Sequence, residues 1–497
     1  MRTSGVLMHL SSLASPYGIG TMGKEARKFV DFLKASGQSY WQLLPICPTG
    51  YGDSPYQSYS TFAGNPFLID LDELEQQGWL LKEEYANVDW ESEADQVNYG
   101  VLYQKRYPIL RKAAKRFLMH PPEKFETFCC KNSFWLEDFS LFMALKEVHN
   151  GLAWSDWNAP VRNCDAHALT DARLLYAEHV LFWKVLQFWF FEQWTKLKIY
   201  ANESGISIIG DLPIYVSIDS VDAWAHPELF QLDRNKLPIE VAGCPPDGFS
   251  ADGQLWGNPL YDWDYMEETG FAWWIQRIQY LCNVYDVLRI DHFRGFAGYY
   301  AIPYGEETAK HGRWKKGPGM KLFRAVERSI GKQKIIAEDL GHITEDVKQL
   351  LKDSGFPGMK VLQFAFDSRD GSGEEYLPHR FETHCVAYTG THDNDTILGW
   401  FKDADAEDTA YAREYLKIKD DSALHWDMMD ALWESAAEMT IVTAQDLLGL
   451  GSEARMNRPS TLGGNWQWRA QPGAFTTELS VKIRNKMQQY GRLKGEK

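Results

Sequence analysis

The chain has 497 residues, 44% of them hydrophobic and 24% charged, with a net charge of −16. This composition excludes disorder as the dominant state, and length alone allows two to four domains. A negative balance with no basic block argues against nucleic acid and anionic membrane as partners and favours a neutral ligand over a phosphorylated one. Seven cysteines, an odd count that includes the adjacent Cys129 and Cys130, do not form a disulfide framework in a chain this long, which points to a reducing cytoplasm.

In chain order the first strand candidates are 5–10 and 40–46, separated by a helical stretch at 24–36. Met1 to Gly5 runs straight into the first of these, leaving no room for a signal or transit peptide ahead of it. The third candidate, 206–215, follows only after a long interval, more than an ordinary strand-to-helix connection needs, so an insertion at 51–200 is expected. Within it, 50–66 reads as a Gly/Ser/Pro/Tyr loop, and 134–149 and 171–202 carry helical periodicity. The run from Leu174 to Trp194 is apolar almost all round, which predicts a helix buried between the insertion and the rest of the fold. Lys184 and Gln187 interrupt its most apolar part, which is too short to span a bilayer.

The remaining strand candidates are 287–293, 334–341, 359–366, 384–391 and 440–445, with helical segments at 267–285, 320–330 and 344–354 between them. Apolar runs that stop at Gly, Asp or His read as buried parallel strands followed by loops. Eight such units predict an α/β fold, a (β/α)8 barrel with large, mainly helical insertions and a single catalytic unit over 1–497. The segment 242–257, rich in Gly and Pro, reads as a shaped loop within an active-site region at 242–265.

Four of the strand candidates end on acids: S-I-I-G-D at Asp211, V-L-R-I-D-H-F at Asp291, K-I-I-A-E-D at Glu338 and V-A-Y-T-G-T-H-D at Asp393. Closure of a barrel brings strand C-terminal ends to one rim, so these four are expected to share a pocket. Two facing carboxyl groups, one ionised and one protonated, are the minimum machinery for cleaving an acetal with retention. Asp291 is the better nucleophile, because Arg289 two residues earlier points to the same side of a strand and would hold it ionised. Glu338 suits the acid, its longer stem reaching a leaving oxygen and its burial raising its pKa. His392 and Asp393 could bind the hydroxyls of the reacting sugar. Any one acid could instead cap a helix or pair with an arginine. The 20 Trp and 24 Tyr supply rings that fill cores and also stack on sugar faces.

His9, His292, His392, Asp291 and Asp393 could be imagined around a metal, but none has the spacing of a preformed site, and Arg289 and Arg294 would repel a cation. No metal is expected. No G-x-G-x-x-G or Walker-type loop follows a strand, so no nucleotide cofactor is indicated.

Seven ordered motifs make the chain resemble the 4-alpha-glucanotransferases called amylomaltases or disproportionating enzymes, relatives of the alpha-amylase superfamily. They are W-Q-L-L-P-I-C-P-T-G-Y-G-D-S-P-Y-Q-S-Y-S-T-F-A-G-N-P from Trp41, G-D-L-P-I-Y-V from Gly210, P-P-D-G-F-S-A-D-G-Q-L-W-G-N-P-L-Y from Pro245, R-I-D-H-F-R-G-F from Arg289, A-E-D-L-G from Ala337, G-T-H-D-N-D-T from Gly390 and L-G-L-G-S-E-A-R-M-N from Leu448. The resemblance implies Asp291 as nucleophile, Glu338 as acid/base and Asp393 as transition-state stabiliser. It places Arg289, Asp211, His292 and His392 at the sugar being cleaved, with Tyr56 as a stacking ring. Gln254 and Trp256 would lie over donor and acceptor sites, and Asn457 would contact substrate; the composition of 242–257 separately suggests that Phe249 and Trp256 arch over the acceptor side. Ser460 stands where the family pattern has Gly, which puts the conformation of 459–466 in question. The implied reaction is transfer of an α-1,4-glucan segment between maltooligosaccharides, with no cofactor. The alternatives are an alpha-amylase-type hydrolase using the same acids, and a silent glycan-binding scaffold, which the presence of all three acids disfavours.

Overall fold

The computed structural model describes residues 2–91, 93–246, 251–341, 343–368, 373–461 and 463–494. Eight parallel strands form one sheet that curls into a nearly closed barrel: β1 (Thr3–Leu7), β2 (Tyr40–Gln42), β3 (Ser207–Leu212), β4 (Val287–Ile290), β5 (Ile335–Ala337), β6 (Gly358–Val361), β7 (Cys385–Tyr388) and β8 (Met439–Thr443). Each strand pairs with its sequence neighbour from β1 to β5 and from β6 to β8, and β8 returns to β1. Between β5 and β6 the link is made by Ala337 N donating to Pro357 O at 3.0 Å and Met359 N donating to Asp339 Oδ1 at 2.6 Å.

Burial on both faces explains the continuous apolar runs, since β4, β5 and β7 expose no residue. The glycine in S-I-I-G-D is equally constrained. A Cβ on Gly210 would lie 2.1 Å from the ring of Tyr285, so β3 can pass that ring only without a side chain there.

Helices fill the interval between β2 and β3, from Leu71–Gln76 to Ala177–Glu203. The last of them is the expected apolar helix, with a correction at its start. The helical region breaks at Tyr176, and Leu174 and Leu175 on the preceding helix Ala166–Leu175 are each 74% exposed, so the apolar run is not buried throughout. Leu181 is also 39% exposed, but from Phe182 to Phe190 every residue except Lys184 is buried, and two polar residues inside the run serve as anchors. The side-chain amide of Gln187 donates to Gly64 O and accepts from Gly64 N, and Gln193 does the same with Asp70. Backbone groups that would otherwise be buried without partners are thereby satisfied, at a site where each orphan would cost about 1–3 kcal/mol.

A second correction concerns 242–257. Its ends are strands, not loop: Glu240–Cys244 and Gln254–Pro259 pair antiparallel and join Gly298–Pro303 and Arg313–Lys316 in a four-stranded sheet beside the barrel rim. The helix expected at 267–285 is interrupted by left-handed Gly270 and Phe271, which divide it into Trp263–Glu268 and Ala272–Val284. Among the described residues no helix is long and apolar enough to cross a membrane, and none of the seven cysteines is in a disulfide.

Candidate active site

The four acids do converge on the C-terminal rim. Asp211 lies within β3, Asp291 and Glu338 directly follow β4 and β5, and Asp393 lies on the loop after β7. Register sets the first contact, because Asp211 and Arg289 are cross-strand partners in neighbouring strands. Arg289 Nη1 donates to both oxygens of Asp211 at 2.8 and 2.7 Å, while Nη2 lies 3.1 Å from Asp291 Oδ1. One guanidinium thus holds two carboxylates, as the spacing of Arg289 and Asp291 predicts for one of them. Those neighbouring negative charges outweigh burial, which alone would lower its pKa, and keep Arg289 firmly protonated.

Exposure separates the acids. The Asp211 side chain is 1% exposed, against 28% for Asp291 and 46% for Asp393, so the first is enclosed and the other two reach solvent. Tyr56 completes the wrapping of Asp211 by donating its hydroxyl to Oδ2 at 2.7 Å. Burial, followed by the charge of Asp211, raises the pKa of that phenol and keeps it a donor.

After Asp291 the chain turns sharply, with His292 in the left-handed region at φ 53°. That turn aims the His292 backbone N–H at Glu338 Oε2, 2.7 Å away, and Leu340 N donates to Oε1 at 2.8 Å. The carboxylate of Glu338 therefore rests on the residue next to Asp291, which sets the two acids side by side. Burial pushes both carboxyls above their ordinary values, with Arg289 opposing it in each. Each carboxyl also feels the other's charge, which opposes ionisation of both together.

Asp393 is fixed from the far side of the rim. Asn457 Nδ2 donates to its Oδ1 at 2.6 Å, and His392 Nε2 lies 3.3 Å from the same oxygen. His392 stacks on Tyr56 with centroids 4.9 Å apart and planes 15° from parallel, so Tyr56 offers that face to a histidine. Burial lowers the pKa of His392, and burial pushes that of His292 down to about 3. Over His292 stands Trp256, edge to face at 4.8 Å, its indole N–H donating to Gln254 Oε1 at 3.0 Å. Phe249 lies outside the described residues.

Two contributors were not assigned a role in the sequence. Arg455 donates from Nη2 to Asp393 O at 2.6 Å and from Nε to Asn457 O at 2.8 Å, tying the loops after β7 and β8 together. Trp466 lies 5.8 Å from Tyr56 and 5.7 Å from His392, ring to ring. Arg455 stands in the motif L-G-L-G-S-E-A-R-M-N and Trp466 shortly after it, but nothing local in either segment marks a contact across the rim. Ser460 sits at φ 62°, the left-handed conformation that its glycine in the family pattern takes without strain. Among the described residues no three His, Cys, Asp or Glu side chains form a group that could hold a metal.

Comparison with known proteins agrees over nearly the whole chain. The family model described as 4-alpha-glucanotransferase matches residues 8–476. A 4-alpha-glucanotransferase of Clostridium butyricum is 48% identical over 487 residues, spanning 98% of this chain and 100% of that protein. One from Streptococcus pneumoniae is 49% identical over 478 residues, spanning 96% and 94%. The solved structure of the amylomaltase from Streptococcus agalactiae in complex with acarbose matches with a TM-score of 0.97 and 43% identity, covering 99% of this chain and 100% of that one.

Proposed function

The chain belongs to the 4-alpha-glucanotransferase family and is an enzyme of that activity; from that premise we propose that it works by a retaining double displacement in which Asp291 is the nucleophile and Glu338 the acid/base. The observation that carries this reading is the adjacency of the two carboxyls, with Arg289 in contact with Asp291 alone of the pair. Direct contact with the guanidinium favours the ionised form of Asp291, and in this reading the proton is on Glu338. Asp291 attacks the anomeric carbon as Glu338 protonates the departing 4-oxygen, giving a glycosyl ester on Asp291. Glu338, now a base, takes the proton of an incoming 4-hydroxyl, which displaces Asp291 and restores the original configuration. Asp393, held by Asn457 and flanked by His392, binds hydroxyls of the reacting sugar where positive charge develops.

Asp211 acts through Arg289 and Tyr56, as the partner that fixes both. The substrates in this reading are maltooligosaccharides and longer α-1,4-glucans, with Gln254 and Trp256 over the donor and acceptor sites. We further assign 51–200 as an insertion subdomain of a single catalytic unit, and seven cysteines outside any disulfide suit a reducing cytoplasm.

The test uses a glycosyl fluoride, whose leaving group needs no proton. Glu338→Gln should still glycosylate Asp291 and, lacking a base, accumulate the ester, seen as a mass adduct on the peptide carrying Asp291. Asp291→Asn should show no adduct and lose on the order of 10⁴-fold or more in rate. Absence of an adduct in Glu338→Gln, while the wild type turns the fluoride over, would remove Glu338 from its role.

A further inference from the structure

Beside the rim, one large ring is presented instead of buried. Trp314 sits on the edge strand Arg313–Lys316 of the antiparallel sheet and is 41% exposed. The strand is bound to the catalytic side of the molecule, because Gly317 N donates to Ala297 O at 2.8 Å, in the segment that follows Asp291 and His292.

The ring is held there from several directions. The guanidinium of Arg294, three residues after Asp291, lies 3.8 Å from its centroid. Tyr300, its direct cross-strand partner, meets it edge to face at 5.2 Å. Arg313 and Lys315 alternate to the opposite face of the strand, and both bind the carboxylate of Glu240, a residue only 5% exposed. With both neighbours committed to the other face, strand alternation keeps Trp314 on this one. The same register carries Leu255, next to Trp256, onto the face that holds Trp314, through Gly243 and Tyr300.

An indole that is fixed in place and backed by a cation loses little rotamer freedom when something stacks on its open part. Its flat apolar surface with an N–H at one edge suits the C–H face of a pyranose, and a neutral ring suits a neutral chain. We propose that Trp314 is a glucan-binding platform, taking a glucosyl unit of a long α-glucan several units away from the bond being cleaved. The proposal rests on the glucan reading of the active site and extends it from the reacting sugar to chain length.

Trp314→Ala and Trp314→Phe test it, with maltotriose as the short donor and long-chain amylose as the polymer. In Trp314→Ala the KM for amylose rises by about five- to tenfold, the size of one lost ring contact, while kcat and KM for maltotriose stay within about twofold. Trp314→Phe keeps most of the wild-type preference, since a ring remains. Retardation of the protein by amylose in a native gel is read alongside and weakens in Trp314→Ala only. Because that measurement involves no turnover, it stands even if the assignments of Asp291 and Glu338 fail. An equal loss on maltotriose and amylose, or no change on either, overturns the proposal.

Discussion

Arg455 shows how much of the site depends on a residue that need not touch substrate. Its guanidinium reaches the backbone carbonyls of Asp393 and Asn457 and lies 3.6 Å from Asp395, while Asn457 in turn holds the Asp393 carboxylate. Asp393 is the most exposed of the three acids and has no strand to fix it, so its aim comes from these bonds. Arg455→Lys keeps the charge but replaces a planar fork with a single point. The expected result is a fall in kcat of about ten- to a hundredfold, the scale of an approximately 1 Å misplacement, with KM changed less than about twofold. Steady-state kinetics on maltotriose check it, and a rise in KM with kcat intact would show that Arg455 serves binding and not the positioning of Asp393.

Among the elements, the hairpin of Glu240–Cys244 and Gln254–Pro259 is the one whose form the composition concealed. Its strands are short, and the Gly and Pro residues that suggest a loop are those needed at its bulge and between its strands. The barrel strands were legible for the opposite reason. Burial on both faces leaves an apolar run whose end is marked by the acid or glycine that follows, so Asp211, Asp291 and Glu338 could be placed on the rim before any contact was known. Partners brought in from distant loops, such as Asn457 on Asp393 or Tyr56 on Asp211, have no local pattern to reveal them; the family resemblance pointed to these residues, and geometry gave their bonds. The hairpin form sharpens a prediction. Trp256 is fixed on a strand by Gln254 and stands over His292, where it can cover the glycosyl ester and exclude water. Replacing Phe249 and Trp256 with Ala should lower transfer more than hydrolysis, so free reducing ends rise relative to redistributed oligosaccharides. An unchanged ratio in a folded double variant would place acceptor preference elsewhere.

At the scale of the whole molecule, barrel closure gathers not only acids but histidines. His9 follows β1, His292 follows β4 and His392 lies on the loop after β7, and burial lowers the pKa of all three, that of His9 to about 3 with His392 adding to the effect. A histidine that stays neutral when folded but titrates near 6.5 when unfolded has a definite sign. Between about 3 and 6.5 the unfolded chain binds the extra proton, so the stabilisation is complete above that window and lost as pH falls through it. The buried carboxyls of Asp291 and Glu338, with pKa values raised, have the opposite sign and gain stability as pH falls toward their ordinary values. The acid response of the wild type is therefore a sum of opposing contributions, and only a difference isolates one of them. His9→Asn removes the titrating ring at a place where Nδ1 has no hydrogen-bond partner among the described residues. From pH 7 to pH 5 the wild type should lose about 2 kcal/mol more of unfolding free energy than His9→Asn, as read from urea unfolding of both proteins at the two pH values. Equal losses would mean that His9 takes up its proton in the folded barrel as readily as in the unfolded chain.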